Sequence, residues 1–200
     1  MTDAAESEAV QSESTGEASE SESKSEAESE SEADTEADTS AAGSGEHGSV
    51  IDSVYYGTGY HFNINDTWKV SDVVQDDVEC ALQLAKPESE IELATLFAVQ
   101  ALPDANIKTV SEIGEPIVDA YEMMDNFTVL EHGECKVGKY DAYSIVIRTE
   151  AGEGINVNMN QMVVAGKGKI FSVMITSEES LYSKAMDKAA PLLDSFVIED

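Results

Sequence analysis

The side chains able to do chemistry are few and scattered. Cys80 and Cys135 are the two cysteines of the chain. Either they pair, closing a loop of about 55 residues that would add roughly 4 kcal/mol in the chain-entropy picture, or they remain two separate thiols. His132-Gly133-Glu134-Cys135 sets a histidine and a cysteine three apart. No second pair accompanies them, and a zinc site needs three or four ligands, so the segment reads as a polar hairpin. Asn156, Asn158 and Asn160 alternate along one stretch, which puts three amides on one face of a strand. An amide both donates and accepts, so such a row suits a carbohydrate or a peptide; the plainer reading is an exposed, solvated sheet face. Gly166-Lys167-Gly168-Lys169 lacks the spacing and the hydroxyl residue of a P-loop and reads as a hairpin turn. Nucleophile-elbow and zincin patterns do not occur. With 41 acidic residues, any proposed acid/base pair is indistinct from its background. The expectation is a protein without catalytic, cofactor or metal residues.

Charge sets the class of partner. The formal net charge is -30, with 41 acids against 11 bases. Residues 1–46 carry fifteen acids and Lys24, and residues 47–200 remain acidic on their own. Such a surface repels phosphate backbones, so nucleic acid is an unsuitable partner, and an unidentified protein or small ligand is expected instead. Residues 1–46 alternate Ser, Glu, Ala, Asp and Thr and hold one valine, Val10. They cannot repay the entropy of ordering and read as a disordered acidic tether. Ala41-Ala42-Gly43-Ser44-Gly45 makes a flexible joint, and residues 47–200 fit one domain large enough to bury a core. Met1-Thr2-Asp3 opens directly into acids, without the basic start and apolar run of a signal peptide.

The elements that must position these residues follow from periodicity. Val50–Tyr56 and Tyr60–Ile64 read as strands, with Trp68-Lys69-Val70 continuing after a turn at Asn65-Asp66. Ser71–Asp77 reads as loop. Val78–Lys86 and Ile91–Leu102 read as two strands around a turn at Pro87. Thr109–Asp125 has a helical stripe, with a capping box at Thr109-Val110-Ser111-Glu112; Gly114 and Pro116 are awkward inside it, so the alternative start is Pro116, where proline is welcome. Phe127–Glu134, Lys136–Gly138, Tyr140–Thr149, Ile155–Val164 and Lys169–Thr176 read as strands, with Ile155, Val157 and Met159 inward and the three asparagines outward. Ser177–Phe196 reads as a helix that Pro191 should kink or split in two, capped by Thr176 and Glu179, with Val197-Ile198 extended at its end. Short connections argue for antiparallel pairing. The fold class expected is α+β: an antiparallel β-sheet with helices packed on it as an α/β/α sandwich.

These elements carry a resemblance. Tyr60-His61-Phe62-Asn63-Ile64-Asn65-Asp66-Thr67-Trp68 is similar to the aromatic strand, turn and tryptophan of the superfamily that holds PsbP, the DcrB-type bacterial lipoproteins and the Ran-binding nuclear import factor. Lys139-Tyr140-Asp141-Ala142-Tyr143, Gly168-Lys169-Ile170-Phe171 and the closing Asp194-Ser195-Phe196 fit the same pattern. The similarity spans roughly residues 55–198. Where the family carries a proline before the tryptophan turn, this chain has Asn65-Asp66. The resemblance implies a PsbP-like domain that binds a partner or ligand rather than a catalyst. It implies a bacterial, lipoprotein-type setting outside the cytoplasm, with membrane tethering through an N-terminal lipid anchor that has been removed from this sequence. The alternative it leaves is an intracellular domain that binds a small GTPase.

Overall fold

A computed structural model of the protein describes residues 48–71, 78–103, 109–152 and 154–200. The expected tether over 1–46, the boundary near His47 and the loop over 72–77 lie outside the described residues.

The chain opens with β1 (Ser49–Ile51), β2 (Val54–Gly57), β3 (Tyr60–Asn63), β4 (Trp68–Val70) and β5 (Cys80–Leu84). A 3-10 helix, Ile91–Ala94, precedes β6 (Leu96–Leu102), and α1 (Ser111–Glu122) follows. Four long strands come next: β7 (Phe127–Val137), β8 (Tyr140–Glu150), β9 (Asn156–Gly166) and β10 (Lys169–Glu178). A second 3-10 helix, Glu179–Leu181, leads into α2 (Tyr182–Asp194), and β11 (Val197–Ile198) ends the order.

The strands form two antiparallel sheets. One has the order β4-β5-β6-β10-β9-β8-β7; the other is β1-β2-β3-β11. Alternation sorts the side chains of the large sheet. Ala142, Met162, Val164, Phe171, Val173 and Ile175 belong to a core shared with the small sheet and with Ala185, Ala189 and Leu192 of α2. Tyr143, Ile145 and Ile147 point the other way, against Val118 and Ile117 of α1. The large sheet is therefore covered on both faces, by α1 on one and by α2 with the small sheet on the other. Rings fill the main core: Phe62 lies 5.2 Å from Tyr55 and 5.4 Å from Phe97, and Tyr60 lies 5.1 Å from Phe171 and 5.4 Å from Phe196. The Tyr140 hydroxyl takes a hydrogen bond from the Ile198 amide (3.0 Å) and donates to the Ile198 carbonyl (3.1 Å), fixing the chain end.

Turn chemistry sets the hairpins. Asp52 (φ 51°) with Ser53 (φ 63°), and Lys167 (φ 53°) with Gly168 (φ 78°), are two-residue loops with both residues left-handed, the geometry that matches strand twist.

Several expectations change. The α+β class holds, but the small sheet adds to the single sheet expected. Ile91–Leu102 is not one strand: its first part is the 3-10 helix, which leaves Ile91 and Leu93 exposed and turns the Glu92 side chain inward. Phe127–Val137 is one strand, because Gly133 is extended (φ 157°) and the chain reverses instead at Gly138-Lys139. A bulge between Val129 and Glu131 bends it. The helix expected from Ser177 starts five residues later, since β10 continues to Glu178. That residue's carboxylate, rather than the Thr176/Glu179 pair, accepts the Ser180 amide at 3.0 Å. Pro191 sits inside α2 near its end and does not split it. Helix α1 begins at Ser111, not at Pro116, and its N-cap Val110 makes no side-chain cap.

Candidate functional site

Strand β9 does not carry its asparagines to the solvent. Its even-numbered residues share the face of Met162 and Val164, the face covered by α2, and Asn158 and Asn160 are each 6% exposed. Over residues 155–160 the odd positions are the less buried ones: Ile155 is exposed, and Val157 and Met159 are partly covered, Met159 beside α1. The expected sense of in and out is thus reversed. Alternation alone fixes that two faces differ, not which face receives a helix.

The buried amides sit in a polar cluster at the approach to α2. Asn160 accepts from the Ser144 hydroxyl at 2.8 Å and directs its amide nitrogen to the Met186 sulfur at 3.9 Å. Asn156 donates to Glu179 Oε2 at 2.9 Å. Register places Arg148 of β8 opposite Asn158 and Ser177 of β10 on its other side. The Arg148 guanidinium donates from Nη1 to Glu179 Oε1 at 3.0 Å. Glu179 thus holds one oxygen on a guanidinium and the other on an amide. The hydrogen bond from Arg148, followed by that from Asn156, keeps its carboxyl below the usual range. Asn158 is the exception: its Oδ1 is buried and, among the described residues, meets no hydrogen-bond donor. A buried acceptor left unmet costs about 1–3 kcal/mol. Asn158 Oδ1 is the one buried side-chain oxygen or nitrogen of this cluster without a partner among the described residues.

Sequence reasoning found the asparagines and missed Arg148. The signal was there: it is the only arginine in the chain. A planar, permanently charged fork in so acidic a chain is suited to fixing a carboxylate in a defined orientation.

A second ionic group lies farther along α2. The Glu92 side chain is 3% exposed and meets Lys184 Nζ at 2.7 Å and Lys188 Nζ at 3.4 Å. Its other oxygen accepts the Glu88 amide at 2.7 Å. This fastens the 3-10 helix before β6 onto α2 and explains why Ile91 and Leu93 yield the interior to an acid. The Glu88 amide, then Lys184, hold the Glu92 carboxyl down from 4.5 to about 2. Because the folded-state value is depressed, the stabilisation is complete above the unfolded value near 4.5 and is lost as pH falls toward 2. Melting temperatures of the parent and Glu92→Gln should therefore differ most above about pH 5 and converge as pH approaches about 2. A constant gap would show that Glu92 acts through packing alone.

Both cysteines are free. Cys80 is on β5 and Cys135 on β7, with β6, β10, β9 and β8 between them, so the pairing considered from sequence is not made. A disulfide needs Cα atoms within about 7 Å. Burial pushes the Cys80 thiol up to about 12 and raises that of Cys135, which is half-buried. A thiol reagent at about pH 8 should modify Cys135 first and reach Cys80 only on unfolding; equal rates in the native protein would contradict the burial of Cys80. His132 and Cys135 face opposite sides of β7, since His132 Nδ1 lies 2.8 Å from the Tyr143 hydroxyl over the α1 face while Cys135 packs on the main core. Among the described residues no three His, Cys, Asp or Glu side chains converge as a metal site requires.

Comparison with known proteins identifies the fold. No family model matches the chain, and no curated protein matches it significantly by sequence. Solved structures do. LpqN of Mycobacterium tuberculosis, involved in cell envelope biogenesis, superimposes with a TM-score of 0.53 at 12% identity, covering 72% of this chain and 86% of LpqN. Cyanobacterial PsbP from Synechocystis superimposes with a TM-score of 0.50 at 16% identity, covering 74% of this chain and 94% of that protein. The chain has a PsbP-like fold, as its strand and turn pattern implied.

Proposed function

We propose that this PsbP-like chain is a non-enzymatic binding domain that works outside the cytoplasm, held by the acidic segment 1–46. Its ligand meets it at the approach to α2, where Arg148, Asn156 and Glu179 surround Asn158. One observation carries the reading: the single arginine of the chain lies opposite a buried asparagine whose acceptor is unmet. Fixed polar groups of this kind, few and convergent, give a binding site its specificity. The shared fold with a protein involved in cell envelope biogenesis supports the location, as analogy, since a fold does not fix a function.

Two experiments test it. Cell fractionation of the full gene product should recover the protein with the envelope, and the gene upstream should encode a lipobox cysteine; purely cytosolic recovery would count against the location. For the site, Asn156→Ser with Asn158→Ser should weaken binding of ligands found in a screen of envelope carbohydrates and peptides, and unchanged binding would remove the asparagines from the reading. Recovery of a small GTPase in a pull-down would favour the intracellular alternative.

A further inference from the structure

We infer that Arg148 and Asn158 together recognise a small hydroxy acid, a carboxylate with a hydroxyl on a neighbouring carbon, and that Glu179 holds the place of its carboxylate in the free protein. This rests on the binding reading above and specifies the chemistry of that site.

The geometry supplies each part. The Glu179 carboxylate lies between the Arg148 guanidinium (3.0 Å) and the Asn156 amide (2.9 Å), the arrangement in which a ligand carboxylate would be held. Glu179 is presented by a three-residue 3-10 helix, and its side chain is 39% exposed, as is that of Arg148 at 38%. An incoming carboxylate therefore reaches the pair from solvent and exchanges one oxygen acceptor for another, with no charge left unmatched on Arg148.

A carboxylate alone would leave Asn158 as it is, because an ionised carboxylate only accepts and Asn158 Oδ1 needs a donor. An ammonium donor would face the fixed charge of Arg148 opposite. A hydroxyl donates without charge and adds little bulk; Asn158 Oδ1 is sealed from solvent in the free protein, so the hydroxyl meets it only as Glu179 gives way to the ligand. One ligand meeting both requirements carries a carboxylate and a hydroxyl side by side. Sugar acids and short hydroxy acids are two sources of this chemistry.

The test uses the full chain, with acetate, lactate, gluconate and glucose as probes and calorimetry or amide NMR shifts as the readout. Glu179→Ala removes the internal occupant and should bind lactate or gluconate at least tenfold more tightly than the parent, and more tightly than acetate. Adding Arg148→Lys should lose at least tenfold of that. Adding Asn158→Ala should instead abolish the preference for hydroxy acids over acetate while leaving acetate binding in place. A Glu179→Ala protein that melts normally and binds neither acid more tightly than the parent overturns the inference. So does a preference that survives Asn158→Ala; should that variant not fold, the Arg148→Lys arm decides. Glucose binding by the parent that is unaffected by Arg148→Lys would overturn the acid chemistry and leave the broader binding reading standing. Tightening by lactate but not gluconate, or the reverse, identifies the source.

Discussion

Trp68→Ala should lower the stability of the domain by about 3–5 kcal/mol, the range for emptying a large aromatic from a core. For a domain of this size that is a fall of about 6–20 °C in melting temperature. The reasons are local and countable. Trp68 is 3% exposed and its ring lies 6.1 Å from that of Phe97. Its Nε1 donates to the Lys188 carbonyl of α2 at 3.0 Å. One side chain thus fastens β4, at an edge of the large sheet, to the helix that covers it. Trp68→Phe should lose less, keeping most of the apolar area while giving up the hydrogen bond. The chain has one tryptophan, so its fluorescence follows unfolding in the parent, and circular dichroism serves for both variants. A melting temperature for Trp68→Ala within about 2 °C of the parent would place the ring at the surface.

The second large effect runs against helix propensity. In an exposed helix, glycine to alanine gains about 1 kcal/mol. Gly114→Ala should instead destabilise by about 1–2 kcal/mol, since overpacking costs roughly 1–3 kcal/mol or more. A Cβ on Gly114 would stand 2.2 Å from Tyr143 Cδ1 and 2.3 Å from its Cγ. That ring cannot simply swing away: Tyr143 is 5% exposed, and its hydroxyl is 2.8 Å from His132 Nδ1. Glycine is what lets α1 approach β8 closely enough to bury Val118 against Ile145 and Ile147. Urea melts of the variant decide the sign. A gain in stability would mean that the helix sits farther from the sheet than 2.2 Å implies.

Gly114 also shows how far local pattern reading extends. In sequence it was an irregularity in a helical stripe; in the fold it is the contact point of the helix. The Ile155–Val164 stretch behaves the same way. Alternation identified it as a strand with two unlike faces, but its amides went under α2. Two of them found partners in Ser144 and Glu179, residues 16 and 23 positions away in the chain. The Ile91–Ala94 segment has apolar residues enough for a strand. It forms a 3-10 helix because Glu92 meets lysines 92 and 96 residues later, an interaction no local window contains.

By itself the sequence determined the acidic charge, the α+β class, the antiparallel hairpins and the strand and turn around Trp68. These rest on composition, on a period of about two or about 3.6 residues, and on the left-handed residues that tight turns demand. The tertiary structure alone decided which strands share a sheet. β3 and β4 are neighbours in the chain, yet β3 pairs with β11 at the chain's end and β4 with β5. It alone also brought Arg148, Asn158 and Glu179 together from three elements. Such pairings are set by which apolar faces and ions find each other across long stretches of chain. The period of a strand records that it has a buried face, and not what will be laid upon it.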